Sequence, residues 1–347
     1  MHGIRVIRVW SYITPNEGFI KRTLDYQSYM LSSTVAALFV RKLDVVIGTS
    51  PQFFTACAAY LVSRLKRIPF VFELRDIWPE SIKAVGVMRD SVMIRMLEHI
   101  EMFLYRKAQR IVTVTHAFKD VLTRRGVDST KIEVVTNGVD LNHFAPQLKD
   151  AILVQQLKLQ GMFVAGYIGT HGMAHALETL LEAAQILQQL SGAENVRLIF
   201  LGDGACKKYL VLQAQTMELR NVQFLESVSK EQVVRYWSIL DVAVIHLRKT
   251  SLFSTVIPSK LFECMGMGLP VLHGVAGESA DIVERESVGQ VFESENAQEL
   301  VKRLLNMRDK PNAYANYQQN GLAAAKQYDR KYLALQMLQI LENLGGK

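Results

Sequence analysis

Two domains, each an α/β unit with a parallel sheet, are the fold that the sequence predicts. Short apolar runs ending in small or polar residues alternate along the chain with stretches of helical spacing. This alternation is typical of βα units and parallel sheets. A turn-rich break at residues 136–140, Thr-Asn-Gly-Val-Asp, separates two such series. The 347 residues, 49% of them hydrophobic, suffice for two cores, and ligands are expected at the carboxyl ends of the strands.

The first half of the chain predicts five strands. Alternating apolar and basic residues at 2–10 indicate an edge strand, and buried strands are predicted at 44–50, 68–74, 111–115 and 132–135. Helices are predicted at 51–65, 91–107 and 116–125, the first opened by Pro51. Residues 11–30 show no clear period.

The second half shows the same alternation of predicted strands and helices. Strands are predicted at 163–168, 196–201, 222–224, 241–245, 271–272 and 290–292. A glycine turn at 169–172 precedes a helix at 174–190, and helical spacing dominates from residue 296 to the end.

The distribution of charge and the cysteine content indicate which surface and which redox compartment suit the protein. Residues 1–145 carry 20 Lys and Arg against 13 Asp and Glu, whereas the remainder carries 20 against 20. The excess suits an anionic surface; because the basic residues are scattered and no nucleic-acid motif is present, acidic lipid is favoured over nucleic acid. A general solubilising excess is an equally good interpretation. Three widely spaced cysteines are typical of a reduced, cytosolic protein. No apolar run approaches the roughly 18–20 residues that span a bilayer.

The most specific pattern lies at residues 254–273. Pro258 suits the first turn of a helix. Ser259 and Lys260 then lie beside free backbone N–H groups, which together with the helix dipole attract an anion. Glu263 follows Ser259 by one turn and reaches the same end. The segment therefore predicts a site for phosphate and for sugar hydroxyls.

This segment resembles the signature of the family-4 glycosyltransferases, enzymes of the GT-B fold, in which two Rossmann-like domains face a cleft. In the family a Glu-x7-Glu motif precedes a turn of the form small-Gly-x-Pro. Glu263 matches the second glutamate, which holds the donor ribose, and Thr255 stands in place of the first. The departure resembles the Ile-Pro-Ser-Lys-Phe-Glu variant of bacterial O-antigen and colanic-acid transferases, including L-fucosamine transferases.

Arg75 and Asp76 follow a predicted strand and precede the rigid Trp78-Pro79. A charged pair there is a candidate acid/base or acceptor site, with a structural ion pair as the alternative. The stretch resembles the Arg-Asp-Leu-Trp-Pro-Glu-Ser segment of the O-antigen subgroup, at the place where many relatives carry a catalytic-cleft histidine.

Two glycine turns complete the predicted donor site. Gly202 and Gly204 match the Gly-x-Gly of the family. Gly169 opens the turn that contains His171 and His175, where most members have an arginine and a lysine that bind the donor diphosphate. Arg248, Lys249 and Lys260 are the cations that the sequence offers to assist them. No Asp-x-Asp occurs, so we expect no metal and no other cofactor.

The resemblance implies a retaining glycosyltransferase of surface-polysaccharide assembly, covering O-antigen, capsule and colanic acid. Its donor would be a UDP-linked sugar, such as N-acetyl-L-fucosamine or another N-acetylated sugar, and its acceptor a sugar on polyprenyl diphosphate. The expected location is the cytoplasm, peripherally on the inner face of the cytoplasmic membrane. The alternatives are a GT-B sugar-nucleotide epimerase and a catalytically impaired binding protein.

Roles follow for the residues that match. Lys260, Arg248 and the helix start at Pro258 and Ser259 would stabilise the departing diphosphate. Glu263 would hold the ribose. Arg75 and Asp76 would face the acceptor and the transferred sugar, so that the catalytic set is Arg75, Asp76, Lys260 and Glu263.

The expected domains are an acceptor-side domain at 1–147, a nucleotide-sugar domain at 148–325 and a helix at 326–347 that crosses back to the first. Residues 3–10 read Gly-Ile-Arg-Val-Ile-Arg-Val-Trp. In family members, a strand, a glycine-rich loop, a helix and further βα elements precede the corresponding segment. The resemblance therefore implies a shortened first domain, weak transfer and a tendency to self-associate.

Overall fold

The structure, a computed structural model, describes residues 3–13, 19–77 and 92–345. The chain divides into two compact units, Met1–Thr136 with Ala334–Lys347, and Asn137–Leu333. The sequence places the boundaries near residues 147 and 325. The difference arises because residues 137–144 pack within the second unit, where Val139 pairs with Asp329 and Phe144 is buried.

The first unit contains a four-stranded parallel sheet in the order β1-β2-β3-β4. Its strands are β1 (Val46–Thr49), β2 (Phe70–Leu74), β3 (Arg110–Thr113) and β4 (Ile132–Val134). The helices are α1 (Phe19–Leu38), α2 (Phe53–Lys66), α3 (Val92–Lys107) and α4 (His116–Arg124), and a 3₁₀ turn spans Ser129–Lys131.

The predicted edge strand at 2–10 is wrong for the part that the structure describes. Residues 3–13 belong to no strand. Ser28 Oγ accepts a hydrogen bond from the Tyr12 N–H at 2.8 Å, and Ser32 Oγ donates to the Trp10 carbonyl at 2.6 Å. The segment therefore lies along helix α1, which has no predicted counterpart.

The second unit contains a six-stranded parallel sheet in the order β10-β9-β8-β5-β6-β7. Its strands are β5 (Phe163–Ile168), β6 (Val196–Leu201), β7 (Val222–Leu225), β8 (Val242–His246), β9 (Val271–Gly274) and β10 (Gly289–Val291). Its helices are α5 (Ala151–Gln156), α6 (Glu178–Gln189), α7 (Lys207–Thr216), α8 (Lys230–Ser238), α9 (Lys260–Met267), α10 (Glu278–Arg285), α11 (Ala297–Asp309) and α12 (Pro311–Ala325). Short 3₁₀ turns span Met173–His175, Phe253–Thr255 and Lys326–Tyr328, and α13 (Arg330–Gly345) ends the described chain.

Both faces of this sheet are buried. Along β5, Val164 and Ile168 join one apolar cluster and Ala165 and Tyr167 the other. Side chains of a strand point alternately to opposite faces, so an almost continuously apolar strand is what a sheet covered by helices on both sides requires.

The strand order reverses between β5 and β8, which are neighbours in the sheet but not in sequence. In open parallel sheets such a reversal leaves a crevice outside the carboxyl ends of the two strands, and ligands bind there. A ligand site is therefore expected at the residues that follow Ile168 and His246.

Candidate functional site

The loop after β5 and the turn after β6 interlock through backbone contacts. The His171 N–H donates to the Asp203 carbonyl at 2.8 Å, and the Cys206 N–H donates to the His171 carbonyl at 2.9 Å. A Cβ at Gly202 would overlap the Gly169 carbonyl, and one at Gly204 would lie 2.5 Å from the His171 carbonyl oxygen. Only glycines allow this approach, which explains the Gly-x-Gly spacing.

Lys260 reaches the same place from helix α9. A Cβ built on Gly169 would lie 2.6 Å from the Lys260 Nζ, so the ammonium group lies directly against the start of the 169–176 loop. Burial lowers the pKa of Lys260, and the nearby Glu263 carboxylate opposes that shift. A half-buried cation beside open backbone at a strand end is an arrangement that binds an anion.

Helix α9 begins as the sequence predicts. The carbonyl of Pro258 accepts from the Leu261 N–H at 3.0 Å, and that of Ser259 accepts from the N–H groups of Phe262 and Glu263. These bonds form the first turn of the helix, and Lys260 lies at its amino-terminal end, where the helix dipole favours negative charge.

Glu263 is half-buried one turn into the helix. Burial raises the pKa of its carboxyl group, and the surrounding basic side chains oppose the shift. Those side chains belong to Lys260, Arg330, Lys230 and His143. Nothing in the spacing of the sequence predicts the last three as neighbours of Glu263, because they come from the 137–144 segment, helix α8 and the start of helix α13.

His171 does not present its side chain to the loop surface. The residue is 0% exposed, and its ring lies about 6 Å from the rings of Tyr167, Phe200 and Phe224. Both ring nitrogens lack a hydrogen-bond partner among the described residues. Burial, assisted by Lys207, lowers its pKa. His171 therefore contributes its backbone, not its imidazole, to the 169–176 loop.

His175 lies half-buried at the end of that loop, its ring 5.7 Å from the ring of Tyr167. Burial, and then the neighbouring Lys260, lower the pKa of His175 to about 4. At neutral pH the imidazole is uncharged and offers one N–H as a hydrogen-bond donor.

Arg248 holds the loop rather than standing apart from it. Its Nε donates to the Met173 carbonyl at 3.1 Å, and its backbone N–H donates to the Ala174 carbonyl at 2.8 Å. Lys249 points elsewhere: its Nζ lies 2.6 Å from a carboxylate oxygen of Glu293. Arg248 therefore contacts the loop, as Lys260 does, and Lys249 pairs with Glu293 instead.

Thr255, which stands where the family has its first glutamate, uses its hydroxyl within its own turn. Its Oγ1 donates to the Leu252 carbonyl at 2.6 Å.

Arg75 and Asp76 belong to the first unit, directly after β2. The hydroxyl of Ser50, which follows β1, donates to the Asp76 carbonyl and accepts from the N–H groups of Arg75 and Asp76. Arg75 is exposed and Asp76 is half-buried. Trp78 and Pro79, which follow the pair in the sequence, lie outside the described residues.

Within the described part of the chain, no group of three or more His, Cys, Asp or Glu side chains is placed to hold a metal ion. None of the described helices is long and apolar enough to cross a bilayer.

Two family models match the chain. A model described as glycosyl transferases group 1 matches residues 149–323, and one described as glycosyltransferase family 4 matches residues 2–143.

Curated relatives are glycosyltransferases. The chain is 24% identical over 273 residues to a probable glycosyltransferase, WbjE, of Pseudomonas aeruginosa, with 76% of this chain and 66% of that protein covered. It is 24% identical over 205 residues to the amylovoran biosynthesis glycosyltransferase AmsK of Erwinia amylovora, with 59% and 48% covered. The chain thus spans about half to two thirds of these relatives' lengths.

Among solved structures, Anabaena HepE in complex with UDP superimposes with a TM-score of 0.77 at 19% identity, over 93% of this chain and 84% of that one. At this identity the likeness shows the fold alone, and it confirms the predicted GT-B fold of two Rossmann-like domains.

Proposed function

The chain belongs to the family-4, group 1 glycosyltransferases, and from that premise we propose that it transfers a sugar from a nucleotide-sugar donor to a polyprenyl-diphosphate-linked sugar in surface-polysaccharide assembly. The proposal includes retention of the anomeric configuration and an N-acetylated sugar such as N-acetyl-L-fucosamine. The observation that carries it is the meeting of Lys260, His175 and the 169–176 loop at the reversal between β5 and β8.

In this proposal the second unit holds the donor. Lys260, the helix start at Ser259 and the His175 N–H take the diphosphate, and charge placed there stabilises the leaving group as the glycosidic bond breaks. Glu263 accepts hydrogen bonds from the ribose hydroxyls. The 202–204 turn keeps the backbone close to the phosphates.

Arg75 and Asp76 are proposed to serve the acceptor and the transferred sugar from the first unit. Their support is the position of both residues at the carboxyl end of β2, where a ligand of a parallel sheet is expected. The Ser50 hydroxyl bonds to their backbones and fixes the turn.

UDP is the proposed nucleotide. HepE, the structural relative with the same fold, is described in complexes with UDP, with UDP and glucose and with UDP-glucose. Calorimetric titration with UDP and GDP tests the base. We expect UDP to bind, and a preference for GDP would contradict the nucleotide assignment.

The reaction is tested by incubating the protein with UDP-N-acetyl-sugars and a polyprenyl-diphosphate sugar. Formation of an elongated acceptor with retained anomeric configuration supports the proposal. Conversion of the UDP-sugar without acceptor would indicate an epimerase, and UDP binding without any turnover would indicate a binding protein.

We also propose peripheral binding to the anionic inner face of the cytoplasmic membrane. The segment 4–13 exposes Ile4, Val6, Trp10 and Ile13 beside the exposed Arg5 and Arg8. Apolar side chains flanked by basic ones suit the boundary between headgroups and acyl chains. The apolar run at 85–88, Val-Gly-Val-Met, is a further membrane contact that the sequence predicts, and it lies outside the described residues.

Sedimentation with vesicles tests this location. We expect binding to vesicles that contain phosphatidylglycerol, weaker binding to pure phosphatidylcholine, and a loss of binding in the Trp10→Ser variant. Equal binding to both vesicle types would contradict the proposal.

A further inference from the structure

Three successive carbonyl groups of the 169–176 loop are held from the end of strand β8. Arg248 Nε donates to the Met173 carbonyl at 3.1 Å, and the Arg248 backbone N–H donates to the Ala174 carbonyl at 2.8 Å. The third, the His175 carbonyl, accepts at 2.8 Å from Nδ1 of His246. Residues 173–175 form only a short 3₁₀ turn, so these bonds help to fix the path of the loop.

His246 is also bound at its other ring nitrogen. The Glu295 N–H donates to Nε2 of His246 at 2.9 Å. A backbone N–H can only donate and a carbonyl can only accept. Nε2 is therefore the unprotonated nitrogen, and Nδ1 carries the proton that it donates to His175. The two bonds together specify one neutral tautomer.

Packing fixes the orientation of the ring. His246 is 1% exposed, and its ring stacks parallel to that of Phe292, with centroids 5.8 Å apart and 4° between the planes. Burial lowers the pKa of His246, with the bond to His175 and the Glu295 carboxylate acting in the opposite direction. The ring is thus a rigid, uncharged link between the loop that follows β5 and the loop that follows β10.

The held loop ends at the His175 side chain, which lies within electrostatic reach of Lys260. Displacing the His175 backbone would move this imidazole relative to Lys260. An apolar residue at position 246 would fill the same space, but it would leave the His175 carbonyl and the Glu295 N–H without partners.

We propose that His246 is a positioning residue for the nucleotide-sugar donor: it holds the 169–176 loop so that His175 and Lys260 converge on the diphosphate. This inference rests on the proposed function, because it takes that loop to be the donor site. His246 does not itself touch the donor.

Two variants of His246 separate its two hydrogen bonds. In His246→Asn the side-chain amide nitrogen stands near the place of Nδ1 and can still donate to the His175 carbonyl. In His246→Gln the side-chain amide oxygen stands near the place of Nε2 and can still accept from the Glu295 N–H, but the bond to the loop is lost. Both variants lose the ring and its stacking on Phe292, so their thermal stabilities are expected to fall by similar amounts.

The measurements are the UDP dissociation constant, the donor and acceptor KM values and Tm. We expect about fivefold to tenfold weaker UDP binding and a matching rise in donor KM for His246→Gln, as the loss of one hydrogen bond predicts. His246→Asn should remain within about twofold of the parent under the same reasoning. Acceptor KM should not change in either. Equal donor affinities in the two variants would overturn the proposal and leave His246 a core residue.

Two further outcomes are informative. Should His246→Gln fail to fold, ¹⁵N NMR of the parent protein decides the point, because a proton on Nε2 instead of Nδ1 would overturn the proposal. If the parent binds no nucleotide, the proposed function fails and this inference fails with it. If the parent binds nucleotide but the two His246 variants have equal donor affinities, this inference alone is refuted.

Discussion

The two sheets of this protein differ in the feature at which the donor site is proposed, a reversal of strand order. The second sheet reverses its strand order between β5 and β8, and the 169–176 loop, the 202–204 turn and Arg248 gather at that reversal. The described first sheet runs in one direction, β1-β2-β3-β4. Its Arg75 and Asp76 follow β2, and the Ser50 hydroxyl ties their turn to the end of β1. The difference teaches that a reversal point gathers loops from both halves of a sheet, which is why the donor contacts are proposed there and a charged pair is proposed in the first unit.

Of the changes considered, replacing Lys260 in the second unit is expected to lower sugar transfer most. Lys260→Ala removes the cation beside Gly169, and we expect transfer to fall about 10²–10³-fold, the usual cost of removing one preorganised charge or donor from a transition state. UDP binding should weaken as well. Steady-state kinetics and calorimetry check both.

Lys249→Ala is the matched control. Lys249 follows β8 in the same unit as Lys260, but it pairs with Glu293. Similar kinetics in the two alanine variants would contradict a donor-phosphate role for Lys260.

Asp76→Asn tests whether the first unit serves sugar transfer without contributing to UDP binding. If Asp76 serves the acceptor or the transferred sugar, transfer falls about 10²-fold, as expected for a lost acid/base or charge, while UDP affinity is unchanged. A parallel loss of UDP affinity would contradict the proposal that the second unit holds the donor while Asp76 serves the acceptor or the transferred sugar.

Glu263→Gln is expected to weaken nucleotide binding by about 1–1.5 kcal/mol, because a hydrogen bond to a charged acceptor is replaced by a weaker one to a neutral amide. Isothermal titration with UDP measures the change. Glu293→Gln, which alters an exposed carboxylate elsewhere in the unit, is the control, and equal affinities in the two variants would remove Glu263 from the donor site.

The second unit is expected to lose stability in mild acid. His273 is fully buried, Ser279 Oγ lies 2.7 Å from its Nε2, and burial lowers its pKa to about 3. The neutral ring stabilises the fold above pH 6.5. As pH falls below 6.5 the unfolded chain takes up the proton first, which costs about 2 kcal/mol at pH 5.

Thermal unfolding between pH 7.5 and pH 4.5, with hydrogen exchange in β9, follows this loss. His273→Gln keeps a hydrogen-bonding partner for Ser279 and should reduce the pH dependence, leaving the part that the other histidines with lowered pKa contribute. An unchanged slope in that variant would mean that another group controls the acid sensitivity.

Chelation is expected to have the smallest effect. Transfer in EDTA should stay within about twofold of the untreated rate, because Lys260 and the helix start are proposed to carry the leaving-group charge that a metal ion would otherwise neutralise. Turnover that disappears in EDTA and returns with Mn²⁺ would show the opposite.

The sequence by itself determined the strands that are buried on both faces. The predicted ranges 163–168 and 196–201 coincide with β5 and β6, because a strand covered by helices on both sides must be apolar almost throughout. The start of helix α9 was likewise readable, since Pro258 and the glycines that follow act through their own backbone geometry. The fold class followed from the alternation of such strands with helices.

The tertiary structure alone decided what contacts what. Residues 4–10 alternate as an edge strand does, yet a strand needs a partner, and tertiary hydrogen bonds place residues 10–12 along helix α1 instead. His171 and His175 look equivalent in the sequence, but packing buries the ring of His171 among aromatic side chains and leaves that of His175 beside Lys260. His246 ends an ordinary apolar strand and carries no local signal. Its partners lie 71 and 49 residues away, and only the meeting of strand ends in a folded sheet brings such distant groups within hydrogen-bond distance.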